Sequence, residues 1–206
     1  MFTEDIRQGI DKLGAFNGET DKKDLSKLYD EVSGDYEKLM CTMGHPDPEQ
    51  CGDLALELLK DLSDKSALDM GCGTGMVGAA LKKRGVHELL GIDASEGMLK
   101  QAAAKNCYDQ LVQMFLGNPK EYPPKMRDRF DLITAAAILA EGHLGIELFD
   151  EMIHSLKRGG YAIFTTREMY LDKYGYRHAI DELVRRGFWK KVAERSFKKY
   201  QNIEEG

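Results

Sequence analysis

Cysteine is scarce in this chain and irregularly spaced. Cys41, Cys51, Cys72 and Cys107 form no Cys-x-x-Cys pair and no zinc pattern with histidine. That argues against a disulfide scaffold and against a structural metal, so reduced thiols and no metal site are expected. Long apolar runs are missing as well: none approaches the roughly 18 residues that would cross a bilayer. The opening Met1-Phe2-Thr3-Glu4-Asp5 lacks the basic flank and apolar segment of a secretion signal. A cytoplasmic protein without membrane attachment is the expectation. Positive charge is in deficit, with 29 Lys and Arg against 35 Asp and Glu for a net charge of −6. Nucleic-acid binding draws on clustered cations, so no nucleic-acid partner is expected. The one dense basic run, Lys190, Lys191, Lys198 and Lys199, reads as a solvated edge strand. Repeats and low-complexity tracts are absent.

What remains is an ordinary globular composition, 42% apolar and 31% charged over 206 residues. This suits one domain over 1–206, with an N-terminal arm and lid helices to about residue 45 and a core over 46–206. The first 22 or so residues are polar and read as an arm or frayed helix. Two short helical pieces follow between Asp24 and Met40, broken at Ser33-Gly34. Pro46 and Pro48 open a helix with Leu54, Leu58 and Leu62 on one face. Beyond it strands and helices alternate. Strands are expected at 66–70, 88–92, 111–116, 130–137 and 161–166, with a sixth within 188–200. Helices fall at about 75–84, 95–105, 145–157 and 176–186. Gly85, Gly159-Gly160 and Gly187 stand just past helix ends. The alternation implies an α/β fold, a Rossmann-like three-layer sandwich around a mostly parallel sheet. Ligands of such sheets bind outside the carboxyl ends of the strands.

The strongest local signal is Ala67-Leu68-Asp69-Met70-Gly71-Cys72-Gly73-Thr74-Gly75. Its glycines let the backbone turn tightly and approach a ligand, and a helix start follows. Dinucleotide enzymes use the same device, and Gly73, Gly75 and Gly78 match their G-x-G-x-x-G spacing. Asp69 separates the readings: a carboxylate would repel a pyrophosphate but favour the ammonium and sulfonium of S-adenosylmethionine. Asp93, some 20 residues on, stands where an acid accepts hydrogen bonds from both ribose hydroxyls. Ser95 is available to cap the next helix.

Together, D-M-G-C-G-T-G and G-I-D-A-S-E-G-M-L resemble the class I S-adenosylmethionine-dependent methyltransferases. More closely, the chain resembles the methyltransferase-like family associated with the Williams–Beuren chromosome region. That likeness runs through Leu28-Tyr29-Asp30, Asp35-Tyr36, Glu141-Gly142-His143, Lys157-Arg158-Gly159-Gly160 and Thr165-Thr166-Arg167. The resemblance implies S-adenosylmethionine as cofactor. Gly71, Cys72 and Gly73, with Thr74 in the same loop, would line its methionine half. Asp93 would hold the ribose, and Ala94 and Met98 would flank the adenine. Gly117 and Asn118 would meet the adenine amino group, although many relatives carry an acid there. Ala135 would abut the methionine moiety, and Tyr29 and Tyr36 would close over the cofactor. Such folds finish with a hairpin whose last strand enters the sheet antiparallel. This chain ends at Gly206 before that strand, so the expected sheet has six strands, or seven with the edge completed by another chain.

Methyl transfer needs positioning and exclusion of water more than acid or base. A base is required only for a protonated nucleophile. His143, after the fourth strand, is the first candidate for base or substrate contact, with Tyr36 beside the reacting centre. Arg167, past the fifth strand, is suited to fork onto a substrate carboxylate. His87, His154 and His178 read as structural. The expected activity is methyl transfer to a small-molecule N, O or S nucleophile by a monomer or homodimer. The alternatives are a nicotinamide-dependent oxidoreductase, which Asp69 disfavours, and a non-catalytic cofactor-binding protein.

Overall fold

The computed structural model describes residues 21–202, so the polar N-terminal arm lies largely outside the described residues. Helix α1, Lys22–Met43, starts where the Asp21 side chain accepts a hydrogen bond from the Lys23 amide. It stops at Gly44, whose left-handed backbone (φ 70°) turns its N–H back onto the last carbonyls. The break expected at Ser33-Gly34 does not occur. A glycine in a helix interior weakens it by about 1 kcal/mol, but tertiary anchors lie on both sides of Gly34. Asp30 is bonded to the start of a neighbouring helix, and Leu39, Met40 and Met43 are buried. Where two lid pieces were expected, one helix is found. Helix α2, Asp47–Leu59, follows with Pro48 in its first turn.

The alternation then unfolds nearly as the sequence implies: β1 Ser66–Met70, α3 Met76–Lys83, β2 Glu88–Asp93, α4 Glu96–Ala104, β3 Gln110–Gln113, β4 Phe130–Leu139, α5 Glu147–Ser155, β5 Leu156–Thr166, α6 Glu168–Lys173 and α7 Tyr176–Arg185. The fifth strand begins directly at the end of α5, so Gly159-Gly160 lies inside it rather than ending the helix. The strands pair in the order β3-β2-β1-β4-β5, all parallel. Strand order reverses beside β1, and there the carboxyl ends of β1, β2 and β4 open a crevice.

Two apolar clusters cover the sheet. Cys51, Ala55, Val77 and Leu81 of α2 and α3 pack on one face with Ala67, Leu89 and Leu132. Leu148, Phe149 and Met152 of α5 and Tyr176 and Leu183 of α7 pack on the other with Leu68, Leu90 and Ile133. Each is the layer that a strand with buried side chains on both faces requires.

The sheet has five strands among the described residues, not six or seven. The stretch 188–200 forms no strand because side chains pin it to different layers. Trp189 packs against Phe149 and Phe164 on one face, whereas Arg195 pairs with Glu57 of α2 on the other. The amides of Gln201 and Asn202 then bond the carbonyls of Gly44 and Met43. A segment held this way passes around the edge of β5 instead of running along it. Phe188 and Val192 stay exposed.

Helix α1 lies on the start of α4 at very close range. Ser95 caps α4 by accepting from the Met98 amide, and its hydroxyl donates to Asp30 Oδ1 at 2.6 Å. The Gly97 amide donates to the same oxygen at 2.8 Å. A Cβ on Gly97 would stand 3.0 Å from Asp30 Cα and 2.7 Å from Ser33 Oγ. Gly97→Ala should therefore push α1 off α4 and destabilise the chain by about 1–3 kcal/mol, read as a lowered denaturation midpoint; an unchanged midpoint would mean that this contact is loose.

Candidate active site

The loop after β1 is shaped by glycines and by one acid from β2. Cys72 donates its amide to the Ile92 carbonyl, and the Gly75 amide closes a turn onto Cys72. Between them Gly73 takes a left-handed conformation (φ 53°) and donates its amide to Asp93 Oδ2 at 2.8 Å. The other Asp93 oxygen accepts from the Ser95 amide at 2.9 Å. Each oxygen keeps a further lone pair for a donor in the crevice. A Cβ built on Gly73 meets nothing within 4 Å, so the loop borders open space there. Burial pushes the Asp93 carboxyl above the usual range, against the pull of the Ser95, Gly73 and Ala94 amides.

Asp69 is not at the crevice wall, where its reading as a direct ligand to a cation would put it. It is buried beneath the loop, accepting from Tyr108 Oη at 2.7 Å and Thr134 Oγ1 at 2.8 Å. Burial raises its pKa to about 6 in spite of those bonds, and the nearby Asp93 charge adds to the rise. The Tyr108 ring occupies the space that a side chain on Gly78 would fill: a Cβ there would fall 2.2 Å from its Oη. The third glycine of the G-x-G-x-x-G spacing thus makes room for a tyrosine that bonds Asp69, not for a pyrophosphate.

The crevice itself holds about 810 Å³ of empty space, part of it open to solvent. Gly71, Gly73, Asp93, Ala94 and Met98 line it from the sheet side, and Tyr29, Tyr36 and His143 line it opposite. These are the sequence-predicted residues the fold brings together. Ser26 and Lys22 of α1 complete the roof, with Ser26 Oγ donating to the Ala94 carbonyl at 3.0 Å.

Tyr29 and His143 join across it. His143 Nδ1 lies 2.7 Å from the Glu141 carbonyl oxygen, which fixes the proton on Nδ1. Its Nε2 is then an acceptor, and Tyr29 Oη donates to it at 2.8 Å. Burial lowers the His143 pKa and keeps the ring neutral. Burial also raises both tyrosines, which stay protonated.

Other predicted residues stand behind the wall. Cys72 and Thr74 are buried, and Ala135 packs into the sheet core while its neighbours Ala136 and Ala137 line the crevice. Gly117 and Asn118 sit just past the lining residue Leu116 and are fixed from behind. Their amides donate to the buried Glu151 at 2.8–3.0 Å. Burial raises that carboxyl as well. Arg167 is exposed at the start of α6, outside the crevice lining. Sequence reasoning missed Tyr108, Thr134, Asp30 and Glu151. Only the Leu28-Tyr29-Asp30 stretch hinted at one of them.

A methyltransferase domain family matches residues 67–160, the span from β1 to the start of β5. Methyltransferase-like protein 27 of Homo sapiens is 30% identical over 182 residues, 86% of this chain and 73% of that protein. A ubiquinone biosynthesis O-methyltransferase of Coxiella burnetii is 30% identical over 56% of this chain, which spans about half (49%) of its length. Among solved structures, ribosomal protein L11 methylase from Lactobacillus delbrueckii subsp. bulgaricus superposes with a TM-score of 0.50 at 26% identity. It covers 65% of this chain and 66% of its own. The glycine loop, the acid ending β2 and this kinship over most of the chain agree: the protein belongs to the class I S-adenosylmethionine-dependent methyltransferases.

Proposed function

We propose that the protein methylates a small molecule at nitrogen, oxygen or sulfur, in the cytoplasm, as a relative of the methyltransferase-like proteins associated with the Williams–Beuren chromosome region. The observation that carries the small-molecule reading is the roof: α1 spans the crevice and is tied down by Ser26, Asp30 and Tyr29. A roofed crevice excludes water and admits a compact acceptor more readily than a folded one. The Coxiella relative's name places it in ubiquinone biosynthesis. The Lactobacillus relative, by contrast, is a methylase of a ribosomal protein. The four free thiols, three of them buried, and the absence of a helix long and apolar enough to cross a membrane among the described residues fit the setting.

The crevice fits S-adenosylmethionine. Open space at Gly73 accepts a ligand, and Asp69 and Asp93 form no ion pair among the described residues, leaving negative potential under the loop for a cation. When bound, that cofactor supplies a methyl group on a cationic sulfur. In this proposal Asp93 holds the ribose, Ala94 and Met98 flank the adenine, and Leu116 to Asn118, braced by Glu151, meet the adenine edge. Gly71 and Gly73 border the methionine half, with Cys72 and Thr74 supporting the loop from inside and Ala135 backing the wall. Tyr36 and the Tyr29–His143 pair close the reacting end. His143, neutral and bonded through Nε2 to Tyr29, takes the proton of a protonated acceptor by way of the Tyr29 hydroxyl: Tyr29 passes its proton to Nε2 as it receives the acceptor's.

Asp93→Ala should weaken S-adenosylhomocysteine binding at least about tenfold, the loss of roughly one charged hydrogen bond. Calorimetry reads it, and undiminished affinity would remove Asp93 from the ribose. Gly73→Val should abolish that binding by placing a branched side chain in the crevice, and retained affinity would displace the cofactor from this loop.

Asp69 gives a pH test. Its folded pKa of about 6 lies above the ordinary 3.8, so the folded chain holds the extra proton between those values. Its contribution to stability therefore falls as pH rises from about 4 to 6. Without cofactor, Asp69→Asn should exceed wild type by up to about 3 kcal/mol above pH 7, and the two should converge near pH 4. The same variant should bind S-adenosylmethionine more weakly above pH 7, because the negative charge beneath the loop is gone. Parallel stability curves across that range would show that Asp69 does not titrate there.

A further inference from the structure

Near Tyr36, outside the crevice lining itself, two cations come together. Tyr36 lines the crevice and, like Tyr200, packs against the apolar cluster of Leu39, Met40 and Met43. Both cations stand beside Tyr200. Lys199 is part-buried, its Nζ 5.3 Å from the Tyr200 ring centre. The Arg167 guanidinium lies within reach of the Tyr200 hydroxyl, 5.8 Å from the Tyr170 ring centre. Neither forms an ion pair among the described residues. Elsewhere the arginines and lysines of this acid-rich chain are widely paired: Arg84 with Glu49 and Asp53, Arg129 with Glu88, Lys157 with Asp131, Lys173 with Glu141 and Arg177 with Asp172.

The nearby acid is Asp47, which acts on Lys199 through its charge but forms no ion pair with either cation among the described residues. It is almost wholly buried, accepts the Thr165 hydroxyl at 2.5 Å, and lies 3.5 Å from His45 Nδ1. Two adjacent like charges without a counterion are unfavourable, the more so as water is withdrawn. Burial pushes the Lys199 ammonium down and Arg167 adds to that, with Asp47 opposing. An anion lodged between the two cations removes the conflict, and the guanidinium presents a fork matched to a carboxylate or phosphate.

We propose that the methyl acceptor carries an anionic group, a carboxylate or a phosphate, that is held by Arg167 and Lys199 beside Tyr200. This specifies the acceptor and rests on the methyl-transfer reading of the crevice. Arg167 and Lys199 are then specificity-determining residues, and the anion they hold sets which atom of the acceptor reaches Tyr36.

The test uses the full chain saturated with S-adenosylhomocysteine, whose binding is measured first and separately reports the cofactor crevice. Three probes are then titrated to millimolar concentration by calorimetry and by NMR of the tyrosine rings: 4-aminobenzoate, phenyl phosphate and the neutral 4-aminobenzamide. At least one anion should bind tenfold or more tightly than the amide, with shifts at Tyr36 and Tyr200. Which anion leads distinguishes a carboxylate acceptor from a phosphate one. Arg167→Gln and Lys199→Gln should each reduce that preference severalfold, and together they should erase it, with S-adenosylhomocysteine still bound. Anions that bind no tighter than the amide, or a preference that survives in the double variant, would overturn the proposal. Failure of S-adenosylhomocysteine itself to bind would instead overturn the reading of the crevice.

Discussion

One carboxylate ties the site together. Asp93 accepts the Gly73 amide with one oxygen and the Ser95 amide with the other, so the loop after β1 and the turn after β2 share one anchor. The connection continues through the Ser95 hydroxyl to Asp30, and so into α1. The glycine loop, the turn after β2, the cap of α4 and the roof are thereby links of a single hydrogen-bonded chain. Its groups are part-buried, where an unmade bond is penalised more heavily than at the surface. Movement of α1 is consequently felt at Asp93, and whatever occupies the crevice at Asp93 is felt by α1. The crevice and its roof are thus joined by hydrogen bonds without a separate hinge.

The second constraint is charge. Asp69, Asp93 and Glu151 are buried or nearly so on the carboxyl side of the sheet, and none forms an ion pair among the described residues. Hydroxyls and amides stabilise them instead, at a free-energy disadvantage visible in their raised pKa values. A protein selected for stability alone would replace such groups. Their use here is positional: Glu151 fixes the Gly117 and Asn118 amides, Asp93 fixes Gly73, and Asp69 holds Tyr108 and Thr134 under the loop. Together they leave a negative field in the crevice that suits a cationic ligand and opposes a pyrophosphate.

The parts legible in the sequence were those governed by local rules. Ser66–Met70 and the loop after it follow from an apolar run that ends in three spaced glycines. The Ser95 cap is evident because serine precedes a helical stretch. The misses came from distant partners. Ser33-Gly34 looked like a break because helix propensity does not register the docking of Asp30 on α4. The stretch 188–200 looked like a strand because its composition does not reveal that Trp189 and Arg195 are held on opposite faces of the sheet. Asp69 stands out in the sequence, but its burial beneath the loop depends on Tyr108, 39 residues away. Glu151 carried no signal, since an acid on an amphipathic helix ordinarily faces water.

The irregular end of β4 shows how these constraints meet at the acceptor side. Pairing with β5 loses register between Ala135 and Leu139, and Ala137 sits there in a left-handed conformation (φ 60°) unusual for a residue with a Cβ. Such a conformation persists only where its surroundings hold it. Thr165 accepts the Ala137 amide and donates to Asp47, while Thr166 donates to the Leu139 carbonyl at 2.7 Å. The adjacent threonines of Thr165-Thr166-Arg167 therefore clamp both sides of the bulge, and the third residue of the triplet extends to the Tyr200 rim. Asp47 is held by Thr165 and forms no ion pair with Lys199 among the described residues, although its charge favours that ammonium. The bond that steadies the crevice wall thus also fixes the position of the acid whose charge acts on Lys199 at the rim.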